Sequence, residues 1–354
     1  MDEQVLDSPE IREMRSDMPP QKMVMQILSG LIFSMAIKSA LELGVFHALS
    51  GGSCTLDKMA VSLKVNSSAL KRLLRALCSI GILYEDRPNH YNVTPLGATL
   101  QVGPTPESLE PIARYLLSES IILPMFEMNY SIRTGKPSFD KIMGRGWYES
   151  SNENYEGLSI MDKAMEAYSK ISLPDILDAY PFTECNVVVD IAGGMGHMLA
   201  GILDLNKTAK GILFDTPETI KRAKDYIKSI GLAKKCQLIP GDMFEKVPSG
   251  GDLYVISKAL NDWDDEHVIC VLGNVRTAMG KSSKVILIEQ LADEEVASPE
   301  EAIRNLIFLV CTPGGYVRTQ AEFTKLIDKA GLKTSRVITT KSGFSVIECT
   351  GGNV

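Results

Sequence analysis

Basic surface is what this chain has least of. Its 44 acidic residues outnumber 37 lysines and arginines, leaving a net charge of −7 and a pI near 5.3. Binding to a phosphate backbone needs a basic face, so nucleic acid is not an expected partner. Histidine is scarce: four residues, at 47, 90, 197 and 267, too dispersed to suggest a metal site. The seven cysteines form no CxxC pair, which removes the usual zinc and dithiol motifs. Scattered thiols fit a reducing cytoplasm, the expected location. No basic stretch precedes an apolar run at the N-terminus, so no signal peptide is expected. The longest apolar stretch, near Ile27–Ile37, is broken by Ser29, Gly30 and Ser34. It falls short of the roughly 18–20 apolar residues a membrane span needs, so no membrane is expected. What remains is an ordinary globular composition, 45% apolar and 23% charged, over 354 residues, a length that suits two domains.

The pattern along the chain divides it into four. Residues 1–20 are polar, end at Pro19-Pro20, and read as a flexible arm. Residues 21–105 begin with a helical, Met-rich apolar stripe (Met25, Leu28, Ile32, Met35, Ile37, Ala40, Leu43). It suits either a core helix or one packed on a partner subunit. A winged-helix pattern follows. Thr55 caps a helix to about Leu63, and Asn66 caps another over Ala69–Ile80. Gly81–Tyr84 and His90–Val93 then form a hairpin. Lys71, Arg72 and Arg75 on the second helix raise DNA binding, but the acidic balance favours a packing or dimerisation module. Residues 106–180 read as a helical connector to a substrate pocket, with Met161, Met165 and Tyr168 on one helical face. From 181 to 354, apolar β-branched runs alternate with helices: Val187–Ile191, Ala209–Phe214, Cys236–Ile239, Leu253–Ile256 and Val285–Ile288. Thr334–Ile338 and Ser345–Glu348 suit an antiparallel edge hairpin. The fold class is α/β, with a Rossmann-like C-terminal domain behind an all-helical, winged-helix N-terminal one.

In such a sheet the ligand sits at the carboxyl ends of the strands. There the first strand runs into Asp190-Ile191-Ala192-Gly193-Gly194-Met195-Gly196, and a helix opens near His197. Glycines let the backbone turn and approach a ligand, and the helix start offers free N–H groups. Asp215 closes the next strand at the distance a ribose-binding acid needs. Asp242 follows the third strand ahead of Met243 and Phe244, a carboxylate for an adenine amino group beside apolar cover for its ring. As a turn residue it would look the same. The glycine spacing departs from the GxGxxG of a dinucleotide site. It fits a nucleoside without a pyrophosphate, S-adenosylmethionine (SAM), held by Asp190, Gly193, Gly194, Gly196, Asp215, Asp242, Met243 and Phe244.

With these motifs in hand the chain resembles the class I small-molecule O-methyltransferases of the caffeic acid, hydroxyindole and bacterial polyketide-tailoring type. The likeness runs through Leu213–Pro217, Gly241–Phe244, Ser257-Lys258-Ala259-Leu260-Asn261-Asp262-Trp263 and Thr312–Gly315 with Arg318-Thr319. It implies a homodimer with intertwined N-terminal helices, S-adenosylhomocysteine (SAH) as product, and Lys258 among the SAM contacts. It also implies a small-molecule pocket lined by Met165, Phe308 and Thr312, with Trp263 beside them.

One departure matters. Where plant members of the family carry a histidine base, this chain has Asn261. A primary amide donates and accepts hydrogen bonds but holds no proton at neutral pH. Of the two supporting acids, one corresponds to Glu289 and the other falls at Val317. Two readings follow, with Asn261 and Glu289 as the catalytic candidates. In the first, methyl transfer to an aromatic or polyketide-like acceptor proceeds by proximity and orientation. In the second, the chain binds SAM but catalyses a non-methylating step, a cyclisation or hydroxylation. His197 and His267 are lesser candidates for the missing base.

Overall fold

The computed structural model describes residues 19–102, 108–149 and 155–352, so the 1–18 part of the expected arm lies outside the described residues. The chain divides between Ser118 and Glu119 into two compact units. The expected 106–180 connector spans this division. Its start belongs to the first unit, where Arg114 Nη2 donates to the Leu41 carbonyl at 2.9 Å, and the rest belongs to the second.

The first unit runs α1 (Pro20–Leu43), α2 (Val45–Ala48), β1 (Cys54–Thr55), α3 (Leu56–Leu63), α4 (Ser67–Ser79), β2 (Leu83–Arg87), β3 (His90–Val93), α5 (Pro95–Ala98) and α6 (Glu110–Leu116). Thr55 and Asn66 cap α3 and α4 with their side-chain oxygens, satisfying amides that no helix turn can reach. The three strands pair antiparallel in the order β1-β3-β2, completing the expected wing. Leu70, Leu74 and Leu77 of α4 fill the core with Phe46, Met59 and Tyr91. Helix α1 departs from expectation. Only Ala40 and Leu41 are buried, while Met25, Ile27, Leu28, Leu31 and Ile32 are exposed. Its C-terminal part joins the core of this unit through Ala40 and Leu41, with Ala36 and Ile37 packed against it, while its N-terminal half does not. By length and composition it is also apolar enough to cross a membrane, because its serines and glycine interrupt the apolar run without lowering its average much.

The second unit opens with α7 (Glu119–Phe126), α8 (Met128–Thr134), α9 (Ser138–Met143) and the long α10 (Tyr155–Ala179). The alternating part follows as β4 (Val187–Ile191), α11 (His197–Leu205), β5 (Lys210–Asp215), α12 (Pro217–Ser229), β6 (Cys236–Pro240), β7 (Leu253–Ser257), α13 (Asp265–Ala278) and β8 (Lys284–Glu289). It ends with α14 (Pro299–Cys311), α15 (Gln320–Lys329), β9 (Leu332–Thr339) and β10 (Ser345–Gly351). The seven strands take the order β6-β5-β4-β7-β8-β10-β9. The first five are parallel, and β10 pairs antiparallel with both β8 and β9. This is the Rossmann-like sheet with its antiparallel edge hairpin. Apolar cores cover both faces, one built on α11 and α12, the other on α13 and α15, as continuously apolar strands require. Strand order reverses between β4 and β7, which sets the crevice over the ends of those two strands.

Candidate functional site

The glycine loop leaves β4 at that crevice. Gly194 and Gly196 take φ of +58° and +86°, and Ala192 is also left-handed at +52°. A Cβ on Gly193 would stand 2.5 Å from Leu213 and 2.6 Å from the Asp190 carboxyl carbon. Only hydrogen fits there, so the loop lies flat on the strand ends. Asp215 holds it from the neighbouring strand: Oδ2 accepts from Gly194 N at 2.8 Å and Oδ1 from Thr216 N at 2.7 Å. Asp242 is exposed, with Oδ1 accepting from Phe244 N at 2.8 Å, which fixes the turn that presents Met243 and Phe244. Asp190 is different. It is fully buried beneath Gly193, and desolvation pushes its carboxyl up to about 7. Its place is that of a support under the loop.

Lys258 follows β7 with φ of +57°, a conformation lysine rarely takes. Its ammonium donates to Ser169 Oγ on α10 at 3.0 Å, and burial lowers its pKa to about 8. Next comes a 3₁₀ turn, Leu260–Asp262. Asn261 is 3% exposed. Its Nδ2 donates to the Gln290 carbonyl at 2.9 Å, while Oδ1 is buried without a partner. That carbonyl dictates the amide's orientation and leaves a free acceptor. Glu289, at the end of β8, is 2% exposed. Its Oε1 accepts from Ala259 N and Leu260 N at 2.9 and 2.7 Å, tying down the turn that carries Asn261. Burial raises Glu289 to about 7 and Asp262 to about 6. Asp262 Oδ2 accepts from the Tyr148 hydroxyl at 2.6 Å.

Trp263 was grouped with the acceptor pocket in the sequence. In the structure it packs edge-on against Phe244 at 4.7 Å and stacks on Tyr148 at 4.8 Å. It thus links Phe244 to Tyr148, whose hydroxyl is on Asp262. Met165 on α10 and Phe308 on α14 are half-buried, and Thr312 is buried with its hydroxyl on the Phe308 carbonyl. Val317 is buried, and its amide donates to Asn305 Oδ1 at 2.7 Å. The two histidines have other partners: His197 Nδ1 meets the Tyr226 hydroxyl at 2.8 Å, and His267 Nδ1 meets Asp264 at 2.7 Å.

Sequence reasoning missed Tyr148, Ser169 and Arg304, and passed over Asp262. Each meets its neighbour across 40 or more residues of chain, which no local pattern reveals. One signal was available: Arg304 is the one charge in the Ala302–Val310 stretch, one turn before Phe308.

Whether these residues fit a cofactor is tested by their unpaired atoms. Among the described residues, eight buried side chain oxygens lack a partner, and five belong to Asp190, Ser257, Asn261 and Gln290. All five stand at or just past the carboxyl ends of β4, β7 and β8. Native interiors seldom leave such groups unpaired, so their clustering marks a place that a polar ligand completes. Acids outnumber bases around it, which suits a cationic nucleoside such as SAM.

The buried acids carry a stability consequence. Asp190, Asp262 and Glu289 hold protons in the folded chain up to about pH 6–7, where an unfolded chain has released them. Their contribution is complete below about pH 4 and is lost as pH rises through 6–7. The ligand-free protein should therefore melt at lower temperature at pH 7.5 than at pH 5, and Asp190→Asn should shrink the difference. A melting temperature that rises over that range would contradict the burial of these acids.

Comparison with known proteins agrees with this geometry. An O-methyltransferase domain model matches residues 126–333, and an O-methyltransferase dimerisation domain model matches 25–103. The phenazine O-methyltransferase PhzM of Lysobacter antibioticus is 30% identical, over 93% of this chain and 96% of its own. The mitomycin biosynthesis 6-O-methyltransferase of Streptomyces lavendulae is 31% identical, over 91% and 92%. The crystal structure of LaPhzM superposes with a TM-score of 0.89 at 30% identity, covering 94% of this chain and 100% of that one. The O-methyltransferase NcsB1 from neocarzinostatin biosynthesis, solved with SAM and 2-hydroxy-5-methyl naphthoic acid, gives 0.79 at 25% identity, covering 90% and 95%. With its SAM-type crevice, its dimerisation domain and these matches, the chain belongs to the SAM-dependent O-methyltransferase family.

Proposed function

We propose that this enzyme methylates a hydroxyl on a flat aromatic or polyketide-like secondary metabolite, with Asn261 orienting the acceptor in place of an imidazole base. The observation that carries this reading is the Asn261 amide, pinned through Nδ2 to Gln290 with a buried, unpartnered Oδ1. SAM, when bound, supplies an electrophilic methyl on its sulfonium. The chain's own residues do the rest. Asn261 Oδ1 accepts a hydrogen bond from a neutral acceptor's O–H and fixes its direction. For an ionised acceptor the amide's contribution is the second Nδ2 hydrogen, the one not given to Gln290. Alignment of reacting groups is worth up to roughly 7–11 kcal/mol in ideal cases. An acceptor already ionised near pH 7 needs no base. For a neutral hydroxyl, Asp262 and Glu289 titrate near neutrality and can receive the proton through water.

In the same reading Gly193, Gly194, Gly196 and Asp215 hold the ribose side, Asp242, Met243 and Phe244 the adenine, and Lys258 with Ser169 the methionine end. Trp263 borders the ring, Asp190 supports the loop, and Met165, Phe308 and Thr312 line the acceptor side. The relatives named for phenazine, mitomycin and naphthoate substrates support the acceptor class. The exposed apolar face of α1 lies within the dimerisation match and suits an intertwined homodimer rather than a membrane. Light scattering that reads a single copy would refute that arrangement.

The test incubates the enzyme with SAM and hydroxyarenes of graded acidity and follows SAH by mass spectrometry. Acidic phenols should turn over, neutral ones slowly. Asn261→His should raise the rate on a neutral phenol by about 10²-fold, the usual contribution of a positioned base. A product that requires SAM without consuming it would instead favour a non-methylating reaction.

A further inference from the structure

The acceptor side holds one charge that nothing in the site yet uses. Arg304 lies on α14, four residues before Phe308 and so on the same helical face. Its guanidinium sits 5.8 Å from the Phe344 ring. The Lys258 ammonium lies 5.6 Å from the same ring, which puts Arg304 beside the site, and its charge acts on Asp262, Glu289, Lys258 and Tyr168. Yet among the described residues it closes no ion pair and donates no hydrogen bond. The neighbouring acids are already served: Asp262 by Tyr148, Glu289 by two backbone amides. Were Arg304 their counter-ion, it would pair with one of them. Lys258, the other cation, is engaged with Ser169.

We propose that Arg304 is a specificity-determining residue that receives an ionised carboxylate carried by the acceptor. The inference rests on the methyl-transfer reading and narrows its acceptor to an aromatic acid. A guanidinium presents five donors in a rigid fork that matches a carboxylate in bidentate fashion. The surroundings sharpen the preference. Two carboxylates and an apolar lining would repel an acidic acceptor were no cation present, so Arg304 decides whether such a molecule enters. Its position one turn from Phe308 lets one helix grip the ring by its face and the acid by its edge. The methionine carboxylate of SAM offers the same chemistry. Lys258 and Ser169 are the closer match for that group, and the test separates the two sources.

SAH-loaded protein is titrated calorimetrically with benzoate and 2-naphthoate, and with benzamide and 2-naphthamide as neutral counterparts. The wild-type protein should bind the acids about 10-fold tighter than the amides, the scale of one charge-assisted pair. Arg304→Gln should erase that preference, leave amide binding unchanged and leave SAH affinity within about twofold. Arg304→Lys should fall between them, keeping the charge but not the fork. The proposal is overturned if wild-type binds acids no better than amides, or if Arg304→Gln weakens both alike. It is also overturned if SAH affinity falls with the acid's, which would put the guanidinium on the cofactor. None of these readouts requires turnover, so failure of methyl transfer itself would show separately, as absence of SAH from SAM with every acceptor.

Discussion

Gly193→Ala should raise the dissociation constant for SAH by about 10- to 100-fold, the scale of an overpacking cost of about 1–3 kcal/mol borne by the binding loop. The added methyl would stand 2.5 Å from Leu213 Cδ1 and 2.6 Å from Asp190. Neither can retreat, since both are fully buried on adjacent strands. The loop must lift instead. That shifts the Gly194 amide off Asp215 and breaks the Gly196 N–H bond to the Gly193 carbonyl. Overpacking of this kind costs about 1–3 kcal/mol of stability, well short of unfolding a typical domain, so the folded variant can be titrated. Gly273→Ala is the control: its Cβ meets nothing within 4 Å on α13, and alanine in a helix should be neutral or stabilising. Calorimetry with SAH and a thermal melt measure both effects. SAH binding within threefold of wild type would mean that the loop does not seat the cofactor.

The loop was legible in the sequence because its requirements are local. A β-branched run, three glycines and a helix start follow one another in order, and each motif of the sheet is read within five or six residues. The caps at Thr55 and Asn66 were legible for the same reason. The acceptor half was not. Asp262 gains its meaning from Tyr148, 114 residues away, and Lys258 from Ser169, 89 away. Arg304 shows in the sequence as a lone charge in an apolar-rich helix, but its role stands out only once its neighbours are seen to be paired elsewhere. Trp263 shows a subtler limit. Its place in a motif put it near the site, but its neighbours Phe244 and Tyr148 emerge only from packing. Helix α1 was ambiguous because an apolar stripe looks alike whether it faces a core, a second copy or lipid. The structure divides it: Ala40 and Leu41 join the core of the first unit, while the half from Val24 to Ile32 is largely exposed.

Arg318→Met tests how the Asn261 turn is held, and it should have the largest effect on stability, about 3–5 kcal/mol. Arg318 is completely buried, yet charged. Nη2 donates to the Trp263 carbonyl at 2.7 Å and Nη1 to the Leu260 carbonyl at 3.3 Å, the two ends of the turn that carries Asn261 and Asp262. Nε and Nη2 reach Asp265 Oδ1 at 3.0 and 2.8 Å, and the guanidinium lies 4.2 Å from the Tyr316 ring centroid. Methionine keeps the packing of the stem and loses every donor. Two carbonyls then remain buried beside an apolar side chain, at about 1–3 kcal/mol each. The ion pair adds less, because the Asp265 side chain is half exposed and regains water. Gly315 limits the turn's freedom on its other side, where a Cβ would stand 2.6 Å from the Asn261 carbonyl oxygen. With the clamp gone, the turn can move only away from Glu289 and Gln290, carrying Asn261 Oδ1 out of line. The methyl-transfer rate, measured well below the melting temperature, should therefore fall by about 10- to 100-fold. SAH should still bind, since Asp215 and the glycine loop lie on other strands. Arg318→Lys, with a single point donor, should recover little of either loss. Urea unfolding and the rate at saturating SAM read the two effects independently. A variant destabilised by less than about 1 kcal/mol, the scale of a single ordinary hydrogen bond, with an unchanged rate would show that the turn holds Asn261 without this clamp.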